Sequence, residues 1–298
     1  MNKNELIERI CDELKEKLAE KYDIEEVSLV TCRKNNGIVT EGISVKVRDL
    51  NTMPCIYTDK LNDIEDEEYL EKIMDRLIPE VSNAIDNAVR ADISTDISLE
   101  KSRDRIILAL INQDKNEKLL ERCPHIAFND LAITFRLYFK INEMNASTLI
   151  DNKLAGLWGL NTEDLWNIAI ENSVRDFPAR IERLDKMLIR MGGERMAKEP
   201  GVIDNPFFIV TNNSMFYGAS SLLYKDVPEE IYRAFEENYY ILPSSINELI
   251  VVPQSICDDK DFLKGMVESV NCSLENPTEY LSDSIYFYDH DRNVISIA

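Results

Sequence analysis

Histidine is almost missing from this 298-residue chain, and its two copies, His125 and His290, confine the commonest metal ligand and general base to two positions. The six cysteines, Cys11, Cys32, Cys55, Cys123, Cys257 and Cys272, stand singly with no CxxC among them. A zinc site or a disulfide framework needs repeated close spacing, so they read as reduced thiols. Nine glycines and ten prolines leave no room for a long flexible linker. Neither GxxxxGK[ST] nor GxGxxG occurs, which argues against a nucleotide-triphosphate enzyme. The longest apolar runs, such as Ile106–Ile111 and Leu249–Val252, fall far below the ~18 residues that span a bilayer. The first residues, MNKNELIERICDELKEKL, are charged throughout and unlike a signal peptide. The expectation is a soluble, cytoplasmic protein with no cofactor and no membrane partner.

Acidic residues dominate what is present: 55 against 34 basic, a formal charge of −21. By thirds the charge is −11 over residues 1–100, +1 over 101–200 and −11 over 201–298. Such a surface repels phosphates, so direct nucleic-acid binding is not expected. The one basic stretch, Arg175–Lys198, interleaves its cations with carboxylates and reads as a salt-bridged, solvated helix.

Apolar spacing lays out the elements. Leu6, Ile10, Leu14 and Leu18 predict an amphipathic helix over about 3–20. Residues 27–34 and 38–47 flank Asn35-Asn36-Gly37, a hairpin signal because Asn-Gly tolerates positive φ. An extended piece at Pro54–Tyr57 follows, then a helix over about 66–89 that Pro79 should kink or split. Residues 105–111 predict a buried strand and 131–140 a half-buried one. Thr162 is placed to cap a helix with Leu165, Trp166, Ala169 and Ile170 inside. Pro178 is placed to open another, carrying Ile181, Leu184, Leu188 and Met191 and stopping at Gly192-Gly193. Residues 207–211 and 215–223 read as a strand pair, Pro228 starts a helix, and 239–253 gives strand, turn, strand. Asp259 caps a helix with Phe262, Leu263, Met266, Val267 and Val270 inside, and 285–288 with 294–297 close a hairpin. Helices and short, mostly antiparallel strands without a regular βαβ period predict an α+β fold. Two sub-domains are expected, 1–195 and 196–298, divided where Gly192-Gly193 and Pro200-Gly201 cluster.

Three constellations could carry chemistry. Cys123-Pro124-His125 puts a thiol and an imidazole two residues apart, a nucleophile pair or a turn before the next strand. Asp289-His290-Asp291 holds ligand-type side chains, yet Asp-rich turns between strands are ordinary and no calcium-loop pattern follows. In YYILPSSINELIVVP (239–253), Ser244 or Ser245 could serve as a nucleophile. Without a GxSxG elbow, the spacing Ser245-Ile246-Asn247-Glu248 fits a capping box instead.

The combination of Asn35-Asn36-Gly37, Pro54–Tyr57, Pro124-His125 with Asp130–Ile133, Leu242–Ile246, and Leu281-Ser282-Asp283 before Tyr286 resembles an uncharacterised bacterial family, a domain of unknown function of the DUF5688 kind. The resemblance implies membership over most of the chain without an activity, and a histidine where Asn247 stands, so this chain departs from the pattern at the one imidazole beside Ser244 and Ser245. Three function classes are expected in order: a non-enzymatic interaction or regulatory protein with a protein partner, for which Pro243, Ser244, Ser245, Asn247 and Glu248 are the candidate binding residues; a hydrolase-like enzyme using Ser244, Ser245 or Cys123 with His125; and an acidic mimic of nucleic acid. No catalytic residue and no metal ligand is assigned.

Overall fold

The computed structural model describes residues 3–50, 53–58, 67–90, 97–141, 144–196, 206–256 and 259–298. They form two compact units, Met1–Lys101 with Phe139–Ala146 and Ser102–Tyr138 with Ser147–Ala298. The fold is α+β.

In the first unit, helix α1 (Lys3–Ala19) buries Leu6, Ile7, Ile10, Leu14 and Leu18. Strands β1 (Ile24–Arg33) and β2 (Val39–Val47) pair antiparallel from Val27↔Val45 to Arg33↔Val39. Asn36 (φ 61°) and Gly37 (φ 66°) make their turn, left-handed conformations that these two residue types tolerate. Strand β3 (Cys55–Tyr57) pairs with the other side of β2, so β1 is an edge of the three-stranded sheet. Helix α2 (Glu67–Arg90) runs through Pro79 as one element. Pro79 and Asp75, whose carbonyl loses its intrahelical partner, both face solvent, where water satisfies the carbonyl and the helix need not split. Leu70, Ile73, Leu77, Val81 and Ile85 complete a core with α1 and with Ile43, Val45 and Ile56 of the sheet.

In the chain the division is marked by a single helical turn, α3 (Leu99–Ser102). The second unit opens with β4 (Ile106–Asn112), buried at every residue, the turn α4 (Glu117–Leu120), β5 (His125–Phe128), β6 (Leu131–Ile141) and β7 (Met144–Leu149), in the order β4-β6-β5 with β7 also on β6; the end of β6 and the start of β7, within Phe139–Ala146, count with the first unit. Strand β6 is buried on both faces from Leu131 to Phe135, not half-buried as its alternation implies. Helix α5 (Asn152–Trp158) is capped by Asp151, and α6 (Thr162–Asp176) by a reciprocal box between Asn161 and Asp164. The cap therefore sits one residue before Thr162, because the Asn161 side chain reaches the amide of Asp164 at 3.0 Å. Leu165, Ile168 and Ala169 form the buried face of α6.

Next come β8 (Ala179–Arg183), α7 (Leu184–Met196), β9 (Phe208–Asn212), α8 (Val227–Phe235), β10 (Tyr239–Ser245), β11 (Glu248–Pro253), α9 (Lys260–Ser273), β12 (Tyr286–Asp289) and β13 (Val294–Ile297). The sheet order is β13-β12-β10-β11-β9-β8. The helix expected from Pro178 is replaced at first by β8, since Ile181 pairs with Val210 of β9, and Gly192-Gly193 lies inside α7. A cut at 195/196 would sever β8 from its sheet. Residues 215–223 do not form a strand. Asn212 accepts the amides of Ser214 and Phe216, Tyr217 is left-handed (φ 50°), and the chain turns into the 3-10 segment Gly218–Leu223. Asp259 caps α9 as expected, burying Leu263 and Val267, while Phe262 is 59% exposed. No helix among the described residues is long and apolar enough to cross a membrane.

Candidate functional site

Pro243 faces Leu249 across the β10–β11 hairpin, Ser244 bulges out of register, and Ser245 faces Glu248, leaving Ile246-Asn247 as a two-residue turn. No helix follows Ser245, so the capping box does not form. The Ser245 hydroxyl accepts the Asn247 amide at 3.1 Å, and it is Ser244 that donates to Glu248 Oε1, at 3.2 Å.

The turn is clamped from outside. Thr211 donates to the Asn247 carbonyl at 2.6 Å, the Tyr217 amide to Asn247 Oδ1 at 3.1 Å and the Ala219 amide to the Ile246 carbonyl at 3.2 Å. The Ile246 amide donates to the Glu279 carbonyl at 2.8 Å. The Asn247 side chain thus holds the 3-10 segment in place, a structural task for the position where the family resemblance implies histidine. Burial pushes the Glu248 carboxyl above its ordinary range, the Ser244 hydroxyl opposes this, and Glu279 adds to it. Glu248 Oε2 is buried without a partner. Ser245 is 5% exposed and spends its oxygen on the backbone. Ser244 has a carboxylate partner but neither imidazole.

The other constellations also come apart. Cys123 is 3% exposed, and burial first, against the opposing Arg136 and with Asp151, pushes its thiol up to about 11. His125 Nδ1 meets the Cys123 carbonyl oxygen at 3.0 Å, so the ring addresses the backbone and not the sulfur. A protonated, buried thiol without an imidazole partner is a poor nucleophile. The His290 ring stacks on Tyr232 at 3.7 Å, with Nε2 3.2 Å from Glu229 Oε2. Among the described residues no group of three or more His, Cys, Asp or Glu could hold a metal ion. The basic stretch is ion-paired, with Arg175 on Asp176, Arg180 and Arg190 on Glu182, and Arg183 on Asp185. It spans α6, β8 and α7 instead of one helix, and Lys198 lies outside the described residues.

The first unit holds a feature that the sequence reading passes over. A groove of about 550 Å³ runs between α1 and edge strand β1, lined by Ile7, Glu8, Cys11, Asp12, Val27, Ser28 and Leu29. Helical spacing puts residues 7, 8, 11 and 12 on one side of α1, and Leu29 is 42% exposed. Neither Glu8 nor Asp12 has an ion-pair partner among the described residues. Burial, then Asp12, then Glu8 push the Cys11 thiol upward, marking an apolar floor beneath a negative rim. Helical spacing places Ile7 and Cys11 beside the Leu6, Ile10, Leu14 and Leu18 stripe of α1, but nothing in that spacing says which strand lies alongside.

Neither a curated protein nor a solved structure matches the chain. Residues 3–290 match DUF5688, a family of unknown function, and the chain belongs to that family.

Proposed function

We propose that the protein is an interaction module whose first unit captures an extended, basic-apolar segment of a partner protein along β1. The observation that carries this reading is the groove of about 550 Å³ between α1 and β1, lying beside a ten-residue strand at the edge of its sheet. An edge strand presents unpaired N–H and C=O groups that an added strand can pair with, and side chains at alternate positions supply specificity. An apolar side chain of the partner enters between Ile7, Cys11, Val27 and Leu29, and a neighbouring Lys or Arg meets Glu8 and Asp12. Residues 1–100 sum to −11, which favours a cationic partner and speeds its encounter at low salt. A cytoplasmic location belongs to this proposal, supported by the cysteines among the described residues, Cys11, Cys32, Cys55, Cys123 and Cys272, which are free thiols.

The test is fluorescence anisotropy with a labelled peptide of alternating lysine and leucine. Glu8→Lys with Asp12→Lys should weaken binding at least tenfold, whereas the same charge reversal at Glu163 and Asp164, in the first turn of α6, should leave it within twofold. Equal losses from both pairs would reduce the interaction to nonspecific charge attraction and refute the reading.

A further inference from the structure

We infer that Cys32 and Cys55 form a two-thiolate site for a soft monovalent metal ion of the Cu(I) class on the first unit's sheet. The two cysteines lie on the strands flanking β2. Cys55 pairs with Ser44 of β2 and Cys32 with Thr40, so both side chains share the face of Gly42 and Ser44, opposite the core residues Ile43 and Val45. Gly42 makes their meeting possible. A Cβ there would overlap Cys55 Sγ, so the missing side chain lets the thiol cross the middle strand to 3.9 Å from Cys32 Sγ.

That separation suits a bridging metal better than a disulfide. Strands one apart are ~4.8 Å from each other, so Cα atoms two strands apart lie at least ~9.5 Å apart, beyond the ~6.8 Å limit of a disulfide. With metal–sulfur bonds of ~2.3 Å, sulfurs 3.9 Å apart subtend about 116° at the metal, between tetrahedral and trigonal. Zinc in a structural site takes four protein ligands, and among the described residues no third His, Cys, Asp or Glu joins the pair. A soft cation that accepts two thiolates and one small exogenous ligand fits instead. Binding replaces two S–H bonds by two S–metal bonds and releases two protons to solvent, leaving the complex with one negative charge. Burial first, then Cys32, push the Cys55 thiol up to about 11, against the opposing charge of Lys34, whose ammonium lies 3.5 Å over the Tyr57 ring; without metal the pair is held as thiols, and metal binding must displace both protons.

The experiment is anaerobic titration of the reduced full-length chain with Cu(I) against the chromogenic chelator bicinchoninate. The wild type should withhold about one equivalent with a thiolate–metal charge-transfer band in the ultraviolet. Cys32→Ser and Cys55→Ser should each weaken retention at least tenfold. Gly42→Ala should weaken it too while keeping all six thiols, and Cys272→Ser, at an exposed cysteine, should leave it unchanged. Cys32→Ala and Cys55→Ala repeat the test if a serine variant fails to fold by circular dichroism. Equal retention by the wild type and the Cys32→Ser/Cys55→Ser double variant overturns the inference, as does rapid, quantitative formation of a Cys32–Cys55 disulfide with diamide. Zn(II) held as tightly at the same pair overturns the assignment to a soft monovalent ion.

Discussion

Gly218→Ala examines the clamp that makes the 239–253 hairpin a structural feature. A Cβ at Gly218 would overlap both the Asn247 carbonyl oxygen and Thr211 Oγ1 and would stand 3.0 Å from the Asn212 amide nitrogen. Two of these atoms are backbone, so the strain cannot be relieved by swinging a side chain away. Overpacking of this kind costs about 1–3 kcal/mol. Displacing the Thr211 hydroxyl from the half-buried Asn247 carbonyl leaves that acceptor unpaired, at about 1–3 kcal/mol more. The sum is a loss of about 2–6 kcal/mol, and Thr211→Val, which removes only the hydrogen bond, should cost about 1–3 kcal/mol. Gly156→Ala supplies the opposite sign: nothing lies within 4 Å of a Cβ there, and alanine inside α5 should gain about 0.5–1 kcal/mol. Urea unfolding followed by tryptophan fluorescence suits the comparison, because Trp158 and Trp166 both belong to the second unit. A Gly218→Ala midpoint indistinguishable from that of Gly156→Ala would refute the clamp.

The remaining expectations concern the same unit. Because the folded state holds the Glu248 carboxyl above its ordinary range, it binds protons more readily than the unfolded chain. Stability should therefore fall as pH rises from the ordinary glutamate value through the raised one, and Glu248→Gln should flatten that limb in urea melts at successive pH values; a wild-type profile rising across the window would contradict the buried, unpartnered Oε2. Asn161→Ala should cost about 0.5–2 kcal/mol and Thr162→Ala less, and a reversed order in thermal melts would place the α6 cap where the sequence alone puts it. Cys123, buried and held protonated, should react with iodoacetamide far more slowly than exposed Cys272 when peptides are counted by mass spectrometry, and fast labelling of Cys123 would revive a nucleophilic role.

Local rules carried far in this sequence. Four-residue apolar steps gave α1, Asn36-Gly37 gave the β1–β2 turn, and Asp259 gave the start of α9, because each depends on neighbours along the chain. The failures share a different cause. Ile181 looks helical beside Leu184 and Leu188, yet Val210 of β9 claims it for a strand. Residues 215–223 open on the apolar run Met215-Phe216-Tyr217 and read as a strand after 207–211, but Asn212 collects the amides of Ser214 and Phe216 and bends the chain away. Ser245 and Glu248 have capping-box spacing, but the same pattern also closes a two-residue hairpin, and only the pairing of Pro243 with Leu249 decides between them. The α1–β1 groove was out of reach for the same reason: its two walls are separate segments, and the residues that make it acidic, Glu8 and Asp12, look like any solvated helix face.

Capture of an extended segment by β1 is tested most directly by amide hydrogen exchange of the full-length chain with and without the lysine–leucine peptide at saturating concentration. Strand addition predicts slowed exchange at alternate amides of residues 26–33, the half that points away from β2, together with slowing along the α1 face that carries Ile7 and Cys11. Unchanged exchange in β1 at full peptide occupancy, or protection confined to residues 239–253, would contradict it.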